Sequence, residues 1–270
     1  MVTIILKKVL LYFVLLAPIF VSGQQSTASA QISTFDLEAP QINCKKKIWV
    51  YLPKSYTNKT YKKYPVIYMH DAQNLFDKKT AFADEWNVDE TLDSLNADVI
   101  VIGIEHGNEK RVDELTPYSN LKYGGGKGDN YLNFIVQTLK PAIDKMYRTK
   151  SDKKNTAIFG SSLGGLLSYY SILKYPNVFG KAAVFSPSFW FNKSIFDLTK
   201  STKKLKAKIY FLCGDNEDPT MVTDLNEMVY LIDSIRCHCL ALNKTVIIKG
   251  GQHNEKLWRQ NFKNAFLWLF

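Results

Sequence analysis

Two rhythms of apolar and polar positions run along this chain, and they switch at small residues. Thr34 to Ala39 and Lys46 to Leu52 alternate as strands do, with Ile48, Val50 and Leu52 set against Trp49 and Tyr51, and a Pro-containing turn joins the two segments. Tyr64 to Asp71, Val99 to Ile104, Ala157 to Phe159, Lys181 to Phe185, Lys208 to Cys213 and Thr245 to Lys249 are short apolar runs, as expected of strands buried on both faces. Helical spacings lie between them. Trp86 to Leu95 places Val88, Leu92 and Leu95 on one face, and Tyr131 to Tyr147 carries Pro141 as a kink or break. Leu163 to Tyr175 and Met221 to Leu242 follow, and Glu255 to Phe270 closes the chain as an amphipathic helix with Asn254 at its N-cap. Pro53 to Lys63 reads as a polar loop. Residues 108–128, with Gly124, Gly125 and Gly126, read as a long polar loop of the kind that forms a lid or substrate rim. Strands alternating with helices predict an α/β domain with a mostly parallel central sheet and helices on both faces. Ligand sites in such sheets gather at the carboxyl ends of the strands.

The first thirty residues stand outside that pattern. Lys7 and Lys8 precede an apolar run from Val9 to Val21, and small residues follow, with cleavage positions after Gly23 or after Ala30. This is the layout of a secretory signal peptide, and the run is short for a bilayer span. Residues 1–30 are therefore expected to be a leader, residues 31–270 a single domain, and the protein secreted or periplasmic, with no stable membrane span. The 270-residue chain carries a formal charge of +10, much of it in runs such as Lys45 to Lys47 and Lys203-Lys204. No aromatic ladder or nucleic-acid motif accompanies these runs, which reads as a solvated basic surface and not a nucleic-acid binder. Four cysteines, Cys44, Cys213, Cys237 and Cys239, allow three full pairings in an exported chain. Cys237-His238-Cys239 falls in a helical run, where positions two apart face different ways, so no metal site is assigned there.

The candidate chemistry centres on Gly160-Ser161-Ser162-Leu163-Gly164, a G-x-S-x-G between a strand and a helix. A serine at the tip of so sharp a turn is held in strained geometry, and glycines two residues to either side let strand and helix approach. Ser161 has no glycine two residues upstream, so Ser162 is the expected nucleophile. The Leu163 N–H, at the helix N-terminus, is aimed at an adjacent oxyanion.

A serine hydroxyl needs a base, and the base needs an orienting group. His253 follows the last strand on a Gly-Gly turn and comes after Ser162, whereas His238 is mid-helix and His70 and His106 precede the elbow. The acid is expected after the penultimate strand, where Glu217 is preferred over Asp218 and Asp215. The second oxyanion donor should be a backbone N–H near Ala72 or Gln73. Asp71 and Trp190, each just beyond a strand, are assigned to substrate binding, and Trp190 with the 108–128 loop is expected to line the pocket.

Tyr68-Met-His-Asp-Ala-Gln-Asn-Leu-Phe-Asp77, Trp86, Gly160-Ser-Ser-Leu-Gly-Gly165, Ser186-Pro-Ser-Phe-Trp190, Gly214-Asp-Asn-Glu217 and His253 with Trp258 together give the chain a family resemblance. It resembles the esterases of the esterase D, enterochelin esterase and feruloyl esterase group. The resemblance implies an α/β-hydrolase fold and ester hydrolysis without metal or other cofactor, with Asp or Glu as the acid. Many members have glycine where this chain has Ala72, and the extra methyl is expected to narrow the oxyanion loop. The expected function is a carboxylic-ester hydrolase acting through an acyl-enzyme on a small-molecule or carbohydrate ester. A siderophore esterase and an acyltransferase with the same triad are the alternatives, and a non-catalytic binding module is a third.

Overall fold

The computed structural model describes residues 25–235 and 242–270. The expected leader core and the Cys237-His238-Cys239 segment lie outside the described residues. The main sheet has eight strands, here β1 (Ile32–Ala39), β2 (Cys44–Tyr51), β3 (Val66–His70), β4 (Ile100–Ile104), β5 (Thr156–Ser161), β6 (Lys181–Phe185), β7 (Lys208–Gly214) and β8 (Asn243–Ile248). Their spatial order is β1-β2-β4-β3-β5-β6-β7-β8. β1 and β2 pair antiparallel, as do β2 and β4, and every other neighbouring pair is parallel.

The dense apolar runs serve two cores at once, because successive side chains on a strand point to opposite faces. Val66 and Tyr68 of β3, Ile158 of β5, Val184 of β6 and Phe211 of β7 enter one core, covered by the helices Leu163–Lys174, Ser194–Ser201 and Met221–Ile235. Ile67 and Met69, Phe159, Phe185 and Leu212 enter the other, under the helices Val88–Ser94 and Glu255–Leu269. The N-cap expectation holds, since the Asn254 side chain accepts the Leu257 N–H.

Three local readings change. Pro141 neither breaks nor ends its helix: Gly128–Phe134 passes into a π-helical stretch, Ile135–Leu139, and continues as Lys140–Met146. The wider turn lies just upstream of the residue that lacks an N–H and whose ring crowds the preceding turn. Ser194–Ser201 is a helix where the sequence reading assigned no element. Residues 108–128 are ordered, with a short helix, Arg111–Leu115, and a two-residue ladder pairing Ser119–Asn120 with Gly124–Gly125. Lys46 Nζ meets both oxygens of Glu114 at 2.6 and 2.7 Å, and both side chains are buried. The far end of the segment docks on the chain after β6, where Asn120 Nδ2 donates to the Phe191 carbonyl and Asn192 Nδ2 to the Ser119 carbonyl.

Candidate active site

β5 ends in Ser161, and the helix Leu163–Lys174 begins two residues later. Ser162 takes the turn between them with φ 56° and ψ −123°, a conformation that L-residues rarely adopt and that costs of order 1–3 kcal/mol. The flanking glycines explain how it is held. A Cβ on Gly160 would lie 2.5 Å from the Gly164 carbonyl oxygen, and one on Gly165 would lie 2.6 Å from the Phe185 carbonyl oxygen of β6. The motif glycine Gly164 has more room, its nearest contact being Asp71 Oδ2 at 3.3 Å. The close approach to the neighbouring strand thus falls on Gly165, and the close approach of strand to helix falls on Gly160.

Two neighbouring strands end in similarly strained residues: Asp71 after β3 has φ 57°, and Ser186 after β6 has φ 42°. The turns after β5 and β6, with the loops after β7 and β8, bring their side chains to one rim of the sheet. An open cavity of roughly 460 Å³ lies there, lined by Ser162, Ser188, Trp190, Glu217, Asp218, Thr220 and His253.

Glu217 is the best-held group of the site. Its side chain is fully buried and accepts hydrogen bonds from Ser186 Oγ at 2.7 Å, from the Gly214 N–H at 2.6 Å and from His253 Nδ1 at 2.7 Å. A carboxylate partner selects the imidazole tautomer with its proton on Nδ1, leaving Nε2 as a proton acceptor. Trp258 braces this pair from below, its ring edge-on to His253 at 5.2 Å and its Nε1 donating to Ser186 Oγ at 2.8 Å.

The other two carboxylates are engaged elsewhere. Asp218 Oδ1 accepts from the N–H groups of Thr220 and Met221 and so caps the helix Met221–Ile235, while Asp215 Oδ1 accepts the Gly250 N–H. Among the other histidines, His70 is buried beneath the elbow with Nδ1 3.2 Å from Tyr131 Oη, and burial pushes it down to about 4. His106 Nδ1 accepts the Asn108 N–H.

The Ser162 hydroxyl lies 3.3 Å from Ser188 Oγ, its side-chain partner in this conformation. The N–H groups of Leu163, Ala72 and Gln73 have no acceptor among the described residues, and each stands at the start of a helical turn. The Gln73 side chain is committed to a reciprocal pair with the backbone of His106. The Ala72 methyl does not narrow this loop: it is buried and packs toward Gly103 of β4, whose own Cβ would sit 3.0 Å from it.

Asp71 is held in a bidentate ion pair by Arg111, with distances of 2.8 and 2.9 Å. Burial alone would raise its carboxyl, and the guanidinium overrides that effect and holds it below the ordinary value. Trp190 lies partly exposed at the cavity edge, with Tyr123 of the 108–128 segment edge-on to it at 5.8 Å. The sequence gives no signal for Arg111 and Tyr123, and it shows Ser186, Ser188 and Trp258 without a role. They converge through pairings that no local spacing encodes.

Residues 39–269 match the protein family described as "Putative esterase". The chain is 28% identical over 249 residues to the uncharacterized protein YbbA of Bacillus subtilis, covering 83% of this chain and 92% of YbbA. It is 32% identical over 177 residues to the ferri-bacillibactin esterase BesA of the same organism, covering 57% of this chain and 60% of BesA. Among solved structures, the BES protein from Bacillus cereus superposes with a TM-score of 0.74 at 20% identity, over 91% of this chain and 98% of that one, a likeness of fold. The family match spans nearly the whole described domain, and the chain belongs to this esterase family, a carboxylic ester hydrolase on the α/β-hydrolase fold.

Proposed function

We propose that the chain is an exported serine esterase in which Ser162, His253 and Glu217 act as a catalytic triad through an acyl-enzyme. The observation that carries this reading is the buried Glu217 holding His253 at 2.7 Å on the wall of the cavity that Ser162 enters from its strained turn. In this mechanism the Ser162 hydroxyl leaves Ser188 and meets the imidazole. His253 Nε2 then takes the proton as Oγ attacks the ester carbonyl, and Glu217 stabilises the imidazolium. The oxyanion is held by the Leu163 N–H and by an N–H of the Ala72-Gln73 turn, where one donor contributes about 10²- to 10³-fold in turnover. His253 returns the proton to the leaving alcohol, and a water activated by the same nitrogen clears the acyl-enzyme.

The rim supports an aromatic acyl or catechol-type ester as substrate. Trp190 and Tyr123 are both partly exposed beside the cavity, and Lys122 Nζ lies 5.0 Å from the Tyr123 ring centre. An aromatic face with a cation nearby suits a flat, anionic group. The relative BesA is named for a siderophore ester. Export rests on the leader pattern. The contacts of Ser26 Oγ with Asp77 and of the Ser29 N–H with Asp89 support cleavage after Gly23 over cleavage after Ala30, because the later cut would remove both.

A fluorophosphonate probe should label Ser162, and Ser162→Ala should abolish both labelling and nitrophenyl ester hydrolysis. A folded protein that neither reacts with the probe nor cleaves the ester sinks the proposal. Relative rates on a panel of catecholate, feruloyl and acetyl esters then rank the substrate classes.

A further inference from the structure

The helix Val88–Ser94 and the turn before it carry an acidic group on the far side of Trp86 from the catalytic histidine. One oxygen each from Glu85, Asp89 and Glu90 lies within 4.8 Å of the others. Glu85 is 2% exposed and Asp89 fully buried. Each of the three carboxylates has one oxygen engaged, Glu85 by Thr27 Oγ1, Asp89 by the Ser29 N–H and Glu90 by Asn87 Nδ2. Each also has a second, buried oxygen with no hydrogen-bond partner among the described residues: Glu85 Oε1, Asp89 Oδ1 and Glu90 Oε2. The engaged oxygens are held by the strap of residues 26–29 and by Asn87. Arg259, the nearby cation, is directed elsewhere, to the Glu85 carbonyl and the Asp84 carboxylate.

Two buried carboxylates and a half-buried one, clustered and each with an unpartnered buried oxygen, are an electrostatic conflict unless positive charge enters. We propose that Glu85, Asp89 and Glu90 bind a hard divalent cation, calcium in the first instance, at a structural site apart from the catalytic centre. The donor set is oxygen only, which suits calcium or magnesium and excludes the soft metals that seek thiolate or imidazole. Calcium is preferred because it accepts an irregular shell of carboxylate, carbonyl and water oxygens, whereas magnesium demands near-ideal octahedral geometry.

The ion would fasten the strap of residues 26–29 to the first turn of the helix. It would also brace Trp86, which packs against Trp258 at 5.7 Å and Phe185 at 5.5 Å.

The test uses the purified protein stripped with EDTA and desalted, then titrated with calcium, with magnesium in parallel, while the melting temperature is followed. Calcium at a hundred-fold over its dissociation constant should raise the melting temperature by about 5 °C or more. Terbium should replace calcium and give emission sensitised through Trp86. Glu90→Gln, at the less buried member, and Glu85→Gln should each keep nitrophenyl ester hydrolysis in EDTA and lose the calcium shift. The proposal falls if the wild-type protein shows neither shift nor terbium emission. It falls equally if both variants keep the full shift, which would put the ion elsewhere. A third overturning result is that Glu90→Gln raises the melting temperature without calcium while the wild type ignores the ion, since the carboxyls would then be sharing protons.

Discussion

Replacing Glu217 by glutamine separates an orienting carboxylate from a merely nearby one. Glu217 Oε1 receives two donors, Ser186 Oγ and the Gly214 N–H, and Oε2 receives His253 Nδ1. An amide has one oxygen, and the two donors at the first position draw it there. The NH₂ group then faces His253 Nδ1 at about the present 2.7 Å and can only donate. The imidazole answers by moving its proton to Nε2, so the nitrogen that should accept the serine proton is blocked. Loss of the correct tautomer in a Ser-His-acid site costs about 10⁴-fold in kcat, equivalent to about 5.5 kcal/mol of transition-state stabilisation. The assay is nitrophenyl ester hydrolysis at neutral pH, with kcat and KM measured separately. The expected result is a collapse of kcat with KM nearly unchanged, because the amide fills the same space. Asp218→Asn and Asp215→Asn are the controls and should stay within about tenfold of wild type, since those carboxylates serve a helix cap and a turn. A Glu217→Gln enzyme within tenfold of wild type, or an Asp218→Asn enzyme that collapses instead, would refute the assignment of the acid.

Further outcomes follow from other parts of the molecule. Gly165→Ala should destabilise the fold by about 1–3 kcal/mol in urea titration and lower kcat, because its Cβ would press on the Phe185 carbonyl at 2.6 Å. Gly124→Ala, at φ 70° with open space around it, should cost only about 1 kcal/mol and leave kcat alone. His70 is held near 4 by burial, below the ordinary histidine value of about 6.5, so as pH falls the unfolded chain takes up this proton first. Its contribution to stability is therefore intact above about pH 6.5 and is lost on descending to about pH 4, up to about 3 kcal/mol. Denaturant titrations at pH 7 and pH 5 should show a smaller loss for His70→Asn than for wild type, and equal losses would contradict the burial argument. On the proposed export, mass spectrometry of the processed chain should place its first residue at Gln24; a start at Gln31 would contradict the contacts of residues 26–29.

The sequence disclosed most where one physical demand acts over a few residues. β3 and β5 to β7 read correctly because a strand buried on both faces needs an unbroken apolar run. The Asn254 cap and the elbow read correctly because each needs particular small or polar residues at fixed offsets. The motif alone misassigned one steric role, since Gly165 and not Gly164 makes the close approach to β6. The helix Ser194–Ser201 went unread because two turns supply little periodicity. Residues 108–128 read only as a long polar loop because their order comes from elsewhere, through Lys46 on β2 and the backbone after β6. Of the three carboxylates weighed for the acid, Glu217 is the one that contacts His253, and the grounds for that contact were invisible. They lie in Ser186 and Trp258, which approach from other elements. The Asp71–Arg111 pair was likewise hidden by forty residues of chain.

The helix Arg111–Leu115 is fastened at two points, through Arg111 to Asp71 and through Glu114 to the buried Lys46. Leaving one partner of a buried pair of the second kind unpaired costs about 3–5 kcal/mol, far above thermal energy. This stretch of the 108–128 segment is therefore a fixed element and not a moving flap. Turnover should not wait on a gate, and solvent viscosity should slow it only through diffusion of the ester itself.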